Sequence, residues 1–231
     1  MTGCGPKIGP YDCCTVVCGD CLELMKALPD GCIDAVITDP PYGIEWNDTG
    51  YFSSSRIFGQ GVCDWDKRPS DEVLRNVISK AKESIIWGGN YFGLGPFVAP
   101  LVWDKQNGSN RFADGEIAWT SFKSGTVRIF RHQWWGFLKE TERGQASVHP
   151  TQKPVALMEW CMALLPQAET ILDPFLGSGT TAVAAKKLGR HFLGFEISPE
   201  YCKIAEERIA LVEAQPTLFE KKLEQPELSL G

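Results

Sequence analysis

The chain has 231 residues, of which 43% are hydrophobic and 23% charged, and its net charge is −6. That size fits one domain, able to bury about 70% of its unfolded surface, and the composition excludes disordered, collagen-like and small disulfide-scaffold classes. No basic leader precedes an apolar run and no apolar stretch approaches the about 18 residues of a membrane span, so a cytoplasmic protein is expected. The acidic balance counts against a protein that binds nucleic acid by global charge alone.

In chain order, residues 1–10 hold three glycines and two prolines and read as a loose terminus. Residues 12–18 read as a strand ended by Gly19-Asp20. A helix follows over 21–28, with Leu22, Met25 and Leu28 on one face. Asp20 sits at a strand's carboxyl end, as helix cap or as a ligand-facing group. Five of the nine cysteines (Cys4, Cys13, Cys14, Cys18, Cys21) crowd this region. With His132, His149 and His191 all distant in sequence and no second Cys pair, no zinc pattern forms; small core hydrophobes are the expected role.

Residues 33–37 form a short apolar run, a buried parallel strand that delivers Thr38-Asp39-Pro40-Pro41-Tyr42 to its carboxyl end. Open α/β sheets bind ligands at that edge. The prolines fix φ and remove two N–H donors, leaving the Asp39 and Pro40 carbonyls as acceptors; Asp39 adds a carboxylate and Tyr42 a flat ring. Such a rigid acceptor set beside a stacking surface suits a planar group bearing NH2, such as the exocyclic amine of a nucleobase. Residues 43–69 lack periodicity and read as a mobile loop whose aromatic residues can order over a base or a nucleic-acid strand.

A helix is expected over 70–82, with Val73, Leu74, Val77 and Ile78 inward, then strands at 85–87 and 101–103 and edge strands at 116–122 and 126–130. Between 122 and 143, Lys123, Arg128, Arg131, Lys139 and Arg143 interleave with Phe130, Trp134, Trp135 and Phe137, a pattern that suits nucleic-acid contact; the surrounding stretch, about 104–147, is the expected DNA-contact region. Pro154 opens a helix. Residues 170–172 form a strand feeding the glycine loop Asp173-Pro174-Phe175-Leu176-Gly177-Ser178-Gly179-Thr180-Thr181. That loop lacks the Gly-Lys-Ser/Thr ending of a phosphate cradle, so a ligand without phosphate suits it. The next strand ends in Glu196, where α/β folds grip a ribose diol. A last helix runs to about 213, and 215–231 read as a disordered tail. Strand–helix alternation throughout predicts a doubly wound, mostly parallel Rossmann-like α/β sheet in a single domain, 1–231.

Asp-Pro-Pro-Tyr at 39–42, Asp-Pro-Phe-Leu-Gly-Ser-Gly-Thr at 173–180 and His-Pro-Thr-Gln-Lys-Pro at 149–154 together resemble the amino-methylating DNA methyltransferases. The order, catalytic motif before glycine loop, matches their circularly permuted β branch. The resemblance implies S-adenosylmethionine as cofactor, held by Asp20, Thr151, Lys153, Asp173, Phe175, Gly177, Ser178, Gly179, Thr180 and Glu196. It implies catalysis by Asp39, Pro40, Pro41 and Tyr42 on an adenine flipped from double-stranded DNA, and a homodimer as a common assembly. Asp at position 39 leans toward adenine N6; cytosine N4 methylation uses the same geometry, and a non-catalytic DNA-binding relative is the third reading. A C5-cytosine enzyme would need a Pro-Cys nucleophile, which the chain lacks.

Overall fold

The computed structural model describes residues 7–43, 67–108, 113–135, 138–142 and 152–214. In chain order these residues form β1 (Thr15–Cys18), α1 (Cys21–Met25), β2 (Ile33–Thr38), α2 (Asp71–Ser79), β3 (Ala81–Trp87), β4 (Leu101–Asp104), β5 (Gly115–Thr120), β6 (Arg128–Arg131), β7 (Trp134–Trp135), β8 (Leu138–Lys139), α3 (Val155–Ala163), β9 (Thr170–Asp173), α4 (Thr180–Lys187), β10 (His191–Glu196) and α5 (Pro199–Glu213). The main sheet has eight strands in the order β1-β10-β9-β2-β3-β5-β4-β6. Every neighbouring pair is parallel except the two made by β5, which runs against β3 and β4.

Alternation along the buried strands divides the core between two faces. Ala35, Ile37, Ile171 and Phe192 point toward α3, α4 and α5; Val36, Leu172, Leu193 and Phe195 point toward Met25 of α1 and Val77 of α2. Helix α3 buries Val155, Leu157, Met158, Cys161 and Met162, so it is apolar around most of its circumference and sits deep between sheet and α4. The doubly wound prediction holds. The chain leaves β9 through α4 toward β10 and leaves β2 through α2 toward β3. The two central strands therefore diverge, and a crevice opens at their carboxyl ends.

Several local expectations change. Residues 116–122 were expected at an edge, yet β5 lies inside the sheet, its Ala118, Trp119 and Thr120 buried between β3 and β4. Strand β3 begins at Ala81, where a continuing helix was expected; α2 stops at Ser79 because Ala81 pairs with Ile33 of β2. Leu22 is exposed rather than inward. Residues 7–10 are not loose: Ile8 is buried and bridges Tyr11. Of the N-terminal cysteines, Cys13 is buried as a core residue, but Cys18 is exposed at the end of β1 and Cys21 is half-buried. Residues 44–66 of the expected loop, and the tail 215–231, lie outside the described residues. No described helix is long and apolar enough to cross a membrane.

At the amino ends of the central strands, one carboxylate ties β2 to β9. Asp34 Oδ2 accepts from the amides of Glu169 (3.1 Å) and Thr170 (3.0 Å) and from the Thr170 hydroxyl (2.9 Å), while Oδ1 meets Lys82 Nζ at 2.8 Å. Burial works to raise the Asp34 pKa, but these donors outweigh it and bring it down to about 2. A depressed carboxyl pKa stabilises the fold above the unfolded value and loses that contribution as pH falls through the folded one. Asp34→Asn is expected to cost about 1–3 kcal/mol at pH 7, with the gap to wild type closing as pH falls from about 4 toward 2; urea titrations across that range measure it.

Candidate active site

The carboxyl ends of β1, β10, β9 and β2 surround a cleft of about 660 Å3, whose walls include Asp20, Asp39, Pro40, Tyr42, Lys153, Asp173, Phe175 and Glu196. Thr38 closes the seam between β2 and β9: its hydroxyl donates to Asp173 Oδ1 at 2.6 Å, and the Phe175 amide donates to the same oxygen at 3.1 Å. Burial pushes the Asp173 pKa up to about 6 against these donors. Glu196 holds the glycine loop from the next strand, Oε2 accepting from the Gly177 amide (2.7 Å) and Oε1 from the Ser198 amide (2.8 Å). The Ile197 amide also hydrogen-bonds this carboxylate, which still keeps acceptor capacity for a ligand hydroxyl. Burial raises its pKa against those amides.

On the β2 side, the Asp39 carboxylate is held at both oxygens. The Tyr42 hydroxyl donates to Oδ1 and Lys153 Nζ to Oδ2. Lys153 is 6% exposed and also lies 3.2 Å from Glu116 Oε2; Glu116 Oε1 meets Lys105 Nζ at 2.5 Å. Two carboxylates and two ammonium groups thus form one largely buried chain, Asp39–Lys153–Glu116–Lys105. Burial is the largest influence on Asp39 and holds its pKa above the usual carboxylate range, with the Lys153 charge opposing. For Glu116 burial acts the same way, but two ammonium neighbours outweigh it and its pKa is lowered. Burial disfavours the Lys153 cation, yet its two carboxylate partners carry the pKa above the ordinary lysine value. The ring of Tyr42 stacks on Tyr91, centroids 4.8 Å apart and planes 20° apart.

The pocket has a carboxylate that holds the glycine loop on one side and an acceptor-rich turn on the other. Residues 100–207 match the family described as DNA methylase, of N6/N4 type. Over this stretch the chain is similar to DNA methylases of that family. It is 28% identical to the type II methyltransferase M2.DpnII of Streptococcus pneumoniae, over 84% of this chain and 88% of the relative. In fold it is similar to the M1.HpyAVI–SAM complex (TM-score 0.54, 22% identity, 84% and 98% of the two chains). It is also similar to the cytosine-N4-specific PvuII DNA methyltransferase (TM-score 0.54, 17% identity, 84% and 85%).

The cleft brings together nearly all the residues expected from sequence. Asp39, Pro40, Pro41, Tyr42, Asp20, Lys153, Asp173, Phe175, Gly177, Ser178, Thr180 and Glu196 all line it. Thr151 lies outside the described residues. Asp20 lines the cleft, and its Oδ1 caps α1 through the Leu22 amide at 2.7 Å. Four of the expected residues have further partners in the fold. Lys153, expected at the amino-acid end of the donor, is turned onto Asp39 because two buried carboxylates outbid any other partner. Gly179 does not line the cleft: with φ +85° it lets α4 meet α5, where a Cβ would lie 2.8 Å from that of Ala205. The Ser178 and Thr180 hydroxyls are held by Arg208 Nη1, at 2.9 and 3.3 Å.

The basic aromatic segment also divides. Phe130 stacks on Trp160 (5.3 Å), Trp134 is buried with its indole N–H on the Gln152 carbonyl, and His132 is 4% exposed with its pKa lowered by burial. These rings are core, not a nucleic-acid surface. Among the expected DNA contacts, Arg131 pairs across from Asp104 at the cleft edge of the sheet, whereas Arg128 pairs with Leu101 at the opposite edge, and Lys123 follows β5 at that far edge. Arg143 lies outside the described residues, as does the side chain of Lys139. Sequence reasoning missed Glu116, Lys105 and Arg208. Only the unusual position of a glutamate and a lysine beside apolar strands signalled the first two. Arg68, at the cleft rim with its guanidinium over the Phe92 ring, was missed as well.

Gly88 shapes the Tyr42 side of the site. Its φ is +66°, and a Cβ there would fall 2.0 Å from Tyr42 Cε1. Gly88→Ala is expected to destabilise the protein by about 2 kcal/mol or more and to displace the Tyr42 ring; denaturation and near-ultraviolet circular dichroism of the variant measure both.

Proposed function

We propose that this protein transfers a methyl group from S-adenosylmethionine to the N6 amine of an adenine turned out of duplex DNA. The observation that carries the reading is the Asp39 carboxylate, fixed by Tyr42 and Lys153 at the floor of a cleft whose other wall is Asp173, Phe175 and Glu196. Aspartate at the head of the Pro-Pro-Tyr turn supports adenine. The fold shared with a cytosine-N4-specific enzyme keeps that amine as the second reading. That β2 precedes β9 in the chain yet neighbours it in the sheet supports a circularly permuted order.

The residues fit the donor. Glu196 retains acceptor capacity for a ribose diol, Asp173 offers a carboxylate to an amino group, Phe175 and Ile197 supply apolar walls, and the glycine loop provides no phosphate cradle. When bound, S-adenosylmethionine supplies an electrophilic methyl on a sulfonium. The protein's own work is on the amine, whose lone pair is delocalised into the base. Asp39 and the Pro40 carbonyl accept its N–H bonds, turning the lone pair out of the ring plane, and the Asp39 charge stabilises the positive charge that develops on nitrogen. Tyr42, backed by Tyr91, offers a stacking surface worth about 1–3 kcal/mol per base, which offsets part of the few kcal/mol spent on unstacking.

Incubation with labelled S-adenosylmethionine and unmethylated DNA, followed by nucleoside mass spectrometry, tests the reading. Label on 6-methyladenine is expected; 4-methylcytosine would select the second reading, and no label on DNA would sink both. Asp39→Ala should lower the transfer rate by at least about a thousandfold while donor affinity stays within about twofold; retained transfer would refute the mechanism. Donor binding should also weaken as pH falls through about 6, where Asp173 becomes neutral and no longer meets an ammonium with opposite charge. Calorimetric titrations from pH 5 to 8 should show that dependence in wild type and lose it in Asp173→Asn.

A further inference from the structure

The Asp39 carboxylate presents a problem for amine capture, because each oxygen already holds a strong donor and one of those donors is a cation. Oδ1 accepts from Tyr42 and Oδ2 from Lys153. An ammonium on Oδ2 also opposes the chemistry, since it lies beside an amine that becomes positive as the methyl arrives. Lys153 is 6% exposed. Among the described residues, the second carboxylate that its ammonium meets is Glu116, whose Oε2 is 3.2 Å away.

Glu116 is held in place for that role. Lys105 fixes Oε1 at 2.5 Å and is itself seated over the Trp103 ring, 4.9 Å from its centroid. Oε2 faces the space between Lys153 and the Tyr42 hydroxyl, 3.5 Å off. The antiparallel course of β5 brings Glu116 there, because its second residue falls at the carboxyl edge of the parallel strands. A displacement of the ammonium by less than the length of one bond changes its principal partner.

We propose that Glu116 is a positioning residue, a second seat for the Lys153 ammonium that frees Asp39 Oδ2 to accept from the target amine. The proposal rests on the reading of this cleft as an amine-methylating centre. Among the described residues, the titratable and charged groups around Asp39 are Lys153 before α3, Tyr42 on its own turn, Glu116 on β5, Asp173 on β9, Tyr91 behind Tyr42 and, through Glu116, Lys105 after β4. Removing the Glu116 charge leaves Asp39 facing the same cation with one anion fewer, so Asp39 ionises more readily and holds Lys153 more tightly.

Glu116→Gln keeps the shape and removes the charge. With saturating donor and DNA its single-turnover transfer rate is expected to fall about tenfold or more, with donor affinity close to wild type and a lower thermal midpoint, because Lys105 and Lys153 lose a buried anion. The acid limb of its rate–pH profile should move to lower pH, together with the Asp39 carboxyl titration followed by 13C NMR. Glu116→Asp, which keeps the charge, should recover part of the rate and return the limb toward wild type. A Glu116→Gln rate equal to wild type, or a slower enzyme with unmoved limb and titration, would overturn the proposal and leave the transfer reading standing. A wild-type protein that methylates no DNA amine, even with the NMR shift present, would overturn the transfer reading and the role in transfer with it.

Discussion

Four charges sit where little water reaches them, and the site is built around the need to pair each one. Moving a carboxylate or an ammonium out of water is costly unless a partner compensates it. Asp39, Lys153, Glu116 and Lys105 meet that requirement as a linear chain, cation and anion in alternation. The arrangement couples three regions remote in sequence: the turn after β2, the hairpin-like pair β4–β5 and the approach to α3. None can shift alone without stranding a buried charge. The same requirement explains why Lys153 is not offered to the donor side of the cleft.

Backbone direction is the second constraint. A sheet with every strand parallel would place all strand starts at the edge away from the cleft. Reversal of β5 brings Glu116 to the ligand edge and leaves the apolar end of that strand, Ala118 to Thr120, inside the sheet. Sequence patterning showed the strand and the apolar content but not its direction, which depends on which neighbours it pairs with. It was consequently assigned to an edge and its glutamate went unremarked.

What was legible from sequence was what is local. Short apolar runs announced β2, β9 and β10; Ser70 and Ser198 cap α2 and α5 as expected, their hydroxyls accepting from the Val73 and Tyr201 amides. The turn and glycine-loop residues fell into one cleft because both follow central strands. Partnership across the chain was not legible. Lys153 lies 114 positions from Asp39, and Arg208 lies 30 from Ser178; no periodicity encodes either pairing. The basic aromatic stretch misled for a related reason: in β6 Phe130 stacks on Trp160, Ile129 and Arg131 take the other face, and Arg128 is exposed at the strand's start.

Gly43 and Arg68 nearly touch; a Cβ on the glycine would lie 2.9 Å from that of the arginine. The chain therefore departs from the mouth of the cleft after Tyr42 and returns to the same place before α2. Joining two points that already adjoin costs an entropy that grows only with the logarithm of the intervening length. A change in the length of the chain between Gly43 and Arg68 therefore costs the fold little closure entropy, because the two anchor points stay adjacent whatever lies between them.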